Sequence, residues 1–146
     1  MKWRIIAVGK PALGYARDGI AEYLGRLRRY TAVDLVYLKD GSAPDVEARY
    51  RQQAAGSHRL VLDERGEALT TDGLRRMVDG WEQDGGIKAV SLFVGGADGH
   101  SEAVREHAER VISLSAFTLQ HELALVVLLE QLYRVYSIKR GEPYHR

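Results

Sequence analysis

A chain of 146 residues, of which 45% are apolar, has the size and the material for one core, so we predict one domain over residues 1–146. A formal charge of only +1 argues against a protein that binds protein-free nucleic acid mainly by non-specific electrostatics. The lack of cysteine excludes disulfides and thiol chemistry. The sequence has no apolar run of about eighteen residues and no N-terminal signal pattern, so we expect a cytoplasmic protein without a membrane span.

Short apolar runs alternate with helical patterns along the chain. The apolar runs predict strands over residues 3–8, 33–38, 59–62, 89–94 and 111–114. The helical patterns predict helices over residues 16–27, 43–55, 69–83, 101–110 and 121–138, with Thr71 or Asp72 as the cap of the third helix. The last helix is apolar nearly all round between Leu123 and Leu129, which is typical of a helix buried on several sides.

The alternation of strands and helices predicts an α/β fold, in which a parallel sheet carries helices on both faces. Parallel neighbours need a crossover connection, and the helices between the strands supply it. In such sheets, ligands bind beyond the carboxyl ends of the strands. We therefore expect a binding site in the loops after Leu62, Val94 and Leu114.

Two of these loops carry residues suited to binding. The turn at Gly95 and Gly96 follows an apolar strand, and glycines permit a close approach of backbone N–H groups to a ligand. Its spacing does not match the dinucleotide fingerprint, so a purely structural turn is the alternative. In the second loop, Ser115 and Thr118 either bond to the backbone of a capped loop or face a ligand. His121 follows at the start of the last helix, where a packed or capping histidine is the simpler interpretation.

The chain ends in Tyr144, His145 and Arg146, directly after the last helix. These residues supply a phenol, an imidazole that titrates near neutrality and a fixed cation, which together can hold a phosphate and manage a proton. The further cations Arg134 and Arg140 lie close by in the sequence. A solvated chain end is the alternative interpretation of this segment.

Five stretches of the sequence together resemble one family. They are residues 5–10 (IIAVGK), 94–99 (VGGADG), 114–121 (LSAFTLQH), 129–134 (LEQLYR) and 140–145 (RGEPYH). Over essentially its whole length, the chain resembles the RlmH-type family of SPOUT methyltransferases. The resemblance implies a C-terminal deep trefoil knot and a homodimer whose subunits share the active site. It also implies S-adenosylmethionine as the cofactor and methylation of N3 of a pseudouridine in 23S ribosomal RNA, with the assembled ribosome as the substrate.

The resemblance also assigns roles to particular residues. It implies target-facing, catalytic roles for His145, Tyr144, Arg140 and Arg146. Methyl transfer needs no metal, and the five histidines are scattered without an i, i+4 pair, so we expect no metal site. The resemblance implies cofactor contacts at the ends of three strands, where the paired glycines leave the space that the ligand needs: Leu62, Gly95, Gly96, Leu114, Ser115, Ala116, Phe117, Thr118, Leu119 and Gln120.

Two positions depart from the family pattern. Many members have proline where this chain has Gln120, and arginine where this chain has Leu125. Any family role of that arginine then falls to another cation, such as Arg134 or Arg140.

Two other classes of protein compete with this interpretation. A flavodoxin-like or receiver-like signalling module is suggested by Asp63, which follows the third strand where a phospho-accepting aspartate would lie. Such a module also requires acidic residues after its first strand, and this chain has Gly9 and Lys10 there, which argues against it. The other alternative is a non-catalytic interaction subunit whose apolar last helix docks a partner, which predicts dimerisation without cofactor binding.

Overall fold

The computed structural model describes residues 1–146, in which parallel strands alternate with helices. The strands are β1 (Lys2–Val8), β2 (Ala32–Leu38), β3 (His58–Ala68), β4 (Ala89–Val94) and β5 (Arg110–Ser113). The helices are α1 (Gly14–Leu27), α2 (Ala43–Gln53), α3 (Thr71–Gln83), α4 (Glu102–Glu106) and α5 (His121–Lys139). The predicted alternation is confirmed, and none of the helices combines the length and apolarity that crossing a membrane requires.

A side-chain cap fixes where α3 begins. The Thr70 hydroxyl accepts a hydrogen bond from the backbone N–H of Gly73 at 2.9 Å. The predicted caps, Thr71 and Asp72, are therefore wrong, since both residues lie inside the helix. The Thr71 hydroxyl instead donates to Gln131 Oε1 at 2.7 Å and so ties α3 to α5.

The order of the strands separates this fold from the flavodoxin-like alternative. All neighbouring strands are parallel, and their order across the sheet is β2-β1-β4-β3-β5. A flavodoxin-like sheet has the order 2-1-3-4-5. Here β4 lies between β1 and β3. The connection from β2 to β3 therefore passes the positions of β1 and β4, and the connection from β4 to β5 passes back over β3. A receiver-like architecture is therefore wrong for this chain.

Helices cover both faces of the sheet, as predicted. On one face, α1, α3 and α5 pack on a large core that contains Trp3 and Leu92. On the other face, α2 and α4 pack on a smaller core that contains Ile6 and Phe93. All residues of β4 are buried, because this central strand is covered by helices on both faces. Its nearly continuous apolar sequence is typical of such a strand.

The longest helix, α5, is buried on several sides. Leu128, Leu129 and Leu132 have no exposed surface. Helix α1 packs closely against it, because a Cβ atom added at Gly19 would lie 3.0 Å from Cγ1 of Val126. The sheet, α1 and α3 thus hold α5 in place along its length.

Strand β3 is much longer than the predicted 59–62. Its first half pairs with β5 up to Leu62, and after a register shift Glu67 pairs with the same residue, Ile112. Gly66 lies at this crossing, where an added Cβ atom would meet backbone atoms of Val111 and Ile112 at 2.7 Å. The second half of β3 thus wraps closely around β5. Charged residues at 63–67 hide this half from any prediction based on apolar runs.

Candidate active site

A cavity of about 560 Å³ opens at the carboxyl ends of β3, β4 and β5. Its walls come from the three loops that the strand pattern singles out, those after Leu62, Val94 and Leu114. Its volume falls in the usual range for small-molecule sites. Nine of the ten residues proposed to bind the cofactor line it, and Ala116 does not. The nine are Leu62, Gly95, Gly96, Leu114, Ser115, Phe117, Thr118, Leu119 and Gln120.

The glycine turn after β4 is held by its own backbone. Gly99 donates its N–H to the Gly96 carbonyl at 3.0 Å and has a φ of +71°, a conformation that favours glycine. A Cβ atom at Gly95 would lie 3.1 Å from the Gly99 carbonyl carbon, and one at Gly96 would lie 3.4 Å from Cβ of Val8. Close packing against Gly99 therefore constrains Gly95, whereas an added Cβ atom at Gly96 would make only ordinary contact with Val8 of β1. The cofactor contacts that the resemblance implies for both glycines stay a prediction.

Side chains also fix the loop after β5. The Ser115 hydroxyl accepts the backbone N–H of Phe117 at 2.9 Å, and the Thr118 hydroxyl donates to Glu64 Oε2 at 2.6 Å. Phe117 itself is 83% exposed at the cavity. The loop is thus capped internally and also lines the cavity, and its contact with a ligand stays a prediction.

The wall contributed by β3 is charged. Asp63 is almost fully buried and accepts hydrogen bonds at 2.9 Å from both the backbone N–H and the Nε of Arg65. Arg105 lies 3.9 Å away on the other side. Burial alone would raise the pKa of Asp63, but the hydrogen bonds from Arg65 outweigh it, so the pKa lies below its ordinary value. Asp63 is thus an ionised structural carboxylate within the wall.

His100 is a cavity residue that the sequence did not reveal. Its Nε2 lies 3.2 Å from the Phe93 carbonyl oxygen, and the residue is 8% exposed. Burial lowers the pKa of His100, because the charged imidazolium loses its hydration. A lone histidine after a glycine turn carries no spacing signal, and only the fold brings it to the cavity.

The first turn of α5 forms the remaining wall, through His121 and Ala124. Its neighbour Glu122 accepts the backbone N–H of Leu13 at 3.0 Å, which ties the loop between β1 and α1 to the start of α5. The Gln120 amide oxygen caps the helix, because it accepts hydrogen bonds from the backbone N–H groups of Glu122 at 2.8 Å and Leu123 at 3.0 Å. The end of α5 at the cavity is therefore rigid.

The C-terminal residues do not fray into solvent but pack on α5. The Tyr144 hydroxyl donates to Glu130 Oε1 at 3.0 Å, and its ring lies edge-on to Tyr133 with centroids 4.6 Å apart. Arg134 stacks over the Tyr144 ring at 4.7 Å and lies 3.1 Å from His145 Nδ1. We call Glu130, Tyr133, Arg134, Tyr144 and His145 the tail cluster.

Burial raises the pKa of Tyr144, and hydrogen bonds with Tyr23 and Glu130 raise it further, so its phenol stays protonated. Arg140 caps the end of α5, with its guanidinium 5.6 Å from the Tyr30 ring centroid. Arg146 is exposed. Both cations are therefore open to an anionic partner.

The tail cluster and the cavity lie at different places along α5. Ala124 lines the cavity and Arg134 holds the tail, and the ten helical steps from one to the other span about 15 Å along the axis of α5. None of the four proposed catalytic residues lines the cavity. Within one chain, the cavity and the tail cluster therefore do not meet.

A doubly covered parallel sheet with its cavity at the carboxyl ends of the strands defines an α/β protein with a ligand-binding edge. The chain belongs to the SPOUT methyltransferase family, since residues 1–145 match the family model described as "Predicted SPOUT methyltransferase". Membership implies the C-terminal trefoil knot of that fold.

Among its relatives is the Thermus thermophilus protein named "Ribosomal RNA large subunit methyltransferase H", which is 50% identical over 146 residues, covering 100% of this chain and 99% of that protein. The protein of the same name from Deinococcus radiodurans is 42% identical over 147 residues, with 100% and 99% covered. The crystal structure of the tRNA (m1G37) methyltransferase from Aquifex aeolicus matches with a TM-score of 0.59 at 14% identity, over 100% of this chain and 75% of that one. This last likeness supports the fold alone.

Proposed function

We infer that the protein is an S-adenosylmethionine-dependent methyltransferase of large-subunit ribosomal RNA, and we propose N3 of a pseudouridine in 23S rRNA as the target atom. The observation that carries this is the full-length match to a relative that is 50% identical and bears that name. The fold, the family and the cavity agree with it. The RNA position and the atom rest on the sequence resemblance.

The cavity fits the proposed cofactor in size and chemistry. Leu62, Leu114 and Leu119 supply apolar surface of the kind that covers the faces of a purine. Arg65 and Asp98 border the same space and match the carboxylate and ammonium groups of an amino acid. We propose that these residues, with the capped loop after β5, hold the cofactor. When bound, S-adenosylmethionine supplies an electrophilic methyl group on a positively charged sulfur.

The protein's task is to align the target nitrogen with the methyl group and to stabilise the anion from which the nitrogen attacks. The imide N3 of a pseudouridine holds a proton at neutral pH, so its attack benefits from groups that stabilise the anion formed on deprotonation. The tail supplies such groups in His145 and the cations Arg140 and Arg146. Tyr144 is held as a donor to Glu130, which fits a positioning role rather than that of a base.

We propose that the active site forms between two subunits of a homodimer. The tail cluster lies about 15 Å along α5 from its own cavity, so the tail of one subunit has to serve the cavity of the other. The partly exposed apolar residues Leu123 and Val127 of α5 offer a surface for the partner.

We also propose that the assembled ribosome, rather than free rRNA, is the substrate. A near-neutral chain of 146 residues that forms one sheet offers little surface to select one RNA position by itself. The ribosome supplies additional surface and presents the target in one conformation. Comparable methylation of protein-free rRNA would contradict this part of the proposal.

The test is transfer of labelled methyl from S-adenosylmethionine to ribosomes that lack the modification, followed by nuclease mapping of the labelled nucleotide. We expect label at one pseudouridine, and protein-free rRNA serves as the matched substrate control. Saturable cofactor binding without transfer to ribosomes would discard the target and keep the class of enzyme. Neither binding nor transfer would favour the interaction subunit.

A further inference from the structure

We propose that Arg134 is a positioning residue that holds His145 in a single tautomer, with hydrogen on Nε2, so that His145 donates a hydrogen bond to the target instead of accepting its proton. This inference rests on the proposed function for its target, a nucleobase imide. Its structural part concerns the tail cluster alone.

The geometry starts with Glu130. Its Oε1 accepts hydrogen bonds from Arg134 Nε at 3.0 Å and Nη2 at 2.6 Å, a fork that fixes the plane of the guanidinium. Glu130 and Arg134 are i, i+4 neighbours on a rigid helix and both are largely covered, with side chains 17% and 24% exposed. The remaining nitrogen, Nη1, lies 3.1 Å from His145 Nδ1.

The direction of this last hydrogen bond follows from chemistry. A guanidinium has only donors and does not lose its proton in proteins, so Arg134 donates and His145 Nδ1 accepts. An accepting Nδ1 carries no hydrogen. The neutral ring then carries its hydrogen on Nε2, at the opposite edge of the imidazole.

This tautomer decides what His145 offers to the target. Nδ1 is occupied by Arg134, and Nε2–H can donate but has no lone pair with which to take a proton. The N3 proton therefore leaves to solvent water, and the negative charge spreads over N3 and the neighbouring carbonyl oxygens. The N3 lone pair forms the new bond to the methyl carbon while the carbon–sulfur bond breaks and its electron pair stays on sulfur. Nε2–H stabilises the anion through a carbonyl oxygen.

The rest of the tail cluster supports the same assignment. Tyr144 donates to the same Glu130 oxygen, and Gln131 Nε2 donates to the other oxygen at 2.8 Å, so both oxygens of the carboxylate already have donors other than His145. Arg134 also stacks on the Tyr144 ring at 4.7 Å, which restrains the guanidinium further. The cluster thus orders the residues on both sides of the peptide that joins Tyr144 to His145.

The structural test is nitrogen-15 NMR of the histidine rings in the full-length protein, with His145→Gln used to assign the signals. We expect the pattern of a neutral ring protonated on Nε2, recorded at about pH 8.5. Arg134→Met should convert this signal to that of a tautomer mixture. The control Arg76→Met removes an arginine that is 70% exposed on α3 and should leave the signal unchanged. A ring protonated on Nδ1 in the unaltered protein would overturn the proposal.

The catalytic test compares replacements of His145 on ribosomes. Gln presents an amide N–H near the position of Nε2, so His145→Gln should keep turnover within about tenfold of the parent, whereas His145→Ala should lose about 10²-fold. Equal, severe losses in both variants would point to a histidine that takes a proton and would overturn the donor role. If the unaltered protein transfers no methyl to any RNA, the proposed function fails, while the NMR result still decides the tautomer.

Discussion

At the scale of single residues, Gly66 has the least space for a side chain among the glycines of the chain. A Cβ atom there would lie 2.7 Å from backbone atoms of Val111 and Ile112, which belong to a strand paired on the sheet and cannot move aside cheaply. By contrast, Gly80 lies inside α3, where an added Cβ atom meets nothing within 4 Å.

We therefore expect Gly66→Ala to lower the free energy of unfolding by about 1–3 kcal/mol. Gly80→Ala, the matched control, should raise it by about 0.5–1 kcal/mol, because alanine loses less backbone entropy in a helix. Urea unfolding of both variants measures the difference. Equal stability of the two variants would show that β3 does not cross β5 as closely as the structure has it.

The ion pair at the cavity wall predicts a pH dependence. The pKa of Asp63 in the folded protein lies below its ordinary value, because hydrogen bonds from Arg65 outweigh burial. The ionised carboxylate therefore stabilises the fold above the unfolded pKa of about 3.9, and this stability is lost as the pH falls through the folded pKa.

In Arg65→Met, burial dominates and the pKa of Asp63 rises. The variant should be less stable than the parent near neutral pH. The difference should shrink as the pH falls and should vanish only below the folded-state pKa of Asp63 in the parent, where both proteins protonate this carboxylate. Urea unfolding between about pH 3 and pH 7 tests this, with Arg76→Met as the control for an exposed arginine. A difference that grows toward acid pH would refute the assigned role of Arg65.

At the scale of elements, α5 connects the cavity to the tail cluster. Its start is capped by Gln120, where the resembling family often has proline, and Gln120 has a φ of −59° that suits proline. The departure from the family pattern thus exchanges one way of fixing the start of a helix for another. Proline restricts the unfolded chain, whereas glutamine satisfies two backbone N–H groups.

Gln120→Ala should lower the free energy of unfolding by about 1 kcal/mol, because it removes the cap and adds no restriction of the chain. Gln120→Pro should recover about 0.4–1 kcal/mol of that loss through the unfolded state. Thermal and urea unfolding of both variants provide the comparison. A proline variant less stable than the alanine variant would mean that the backbone at 120 does not fit a ring.

Helices and strands could be predicted from the sequence where their burial produces a regular apolar pattern. β4 is an apolar run buried on both faces, and its observed bounds match the prediction. The second half of β3 was missed because its charged residues pair with β5 through the backbone and not through apolar burial. The salt bridge between Glu130 and Arg134 follows from i, i+4 spacing, but the packing of the C-terminal residues on that pair depends on how the chain turns after α5.

At the scale of the whole molecule, the order of the strands in the sheet could not be predicted from local sequence patterns. The loops that form the cavity could be predicted because open α/β sheets bind their ligands outside the carboxyl ends of the strands. The placement of β4 between β1 and β3 could not, since it depends on which buried strands pair and all of them read as apolar runs. His100 and Arg65 reach the cavity only through that order.

The separation of cavity and tail within one subunit leads to a test of the proposed homodimer. Leu114→Trp fills the cavity with a bulky ring, and His145→Ala removes the imidazole from the tail; each variant alone should be nearly inactive on ribosomes. If the tail serves the partner's cavity, a mixed dimer has one site in which both the cavity and the tail are intact. If each tail served its own cavity, every site in the mixed dimer would carry a defect.

Unfolding and refolding the two variants together in equal amounts makes half of the dimers mixed, so about a quarter of the parental activity per subunit should return. Each variant refolded alone is the control for folding, and circular dichroism shows whether Leu114→Trp keeps its structure. Recovery to about this level requires a dimer and a tail that acts across it. Dimers that exchange subunits without recovering any activity would place the tail on the cavity of its own subunit, which the length of α5 between Ala124 and Arg134 opposes.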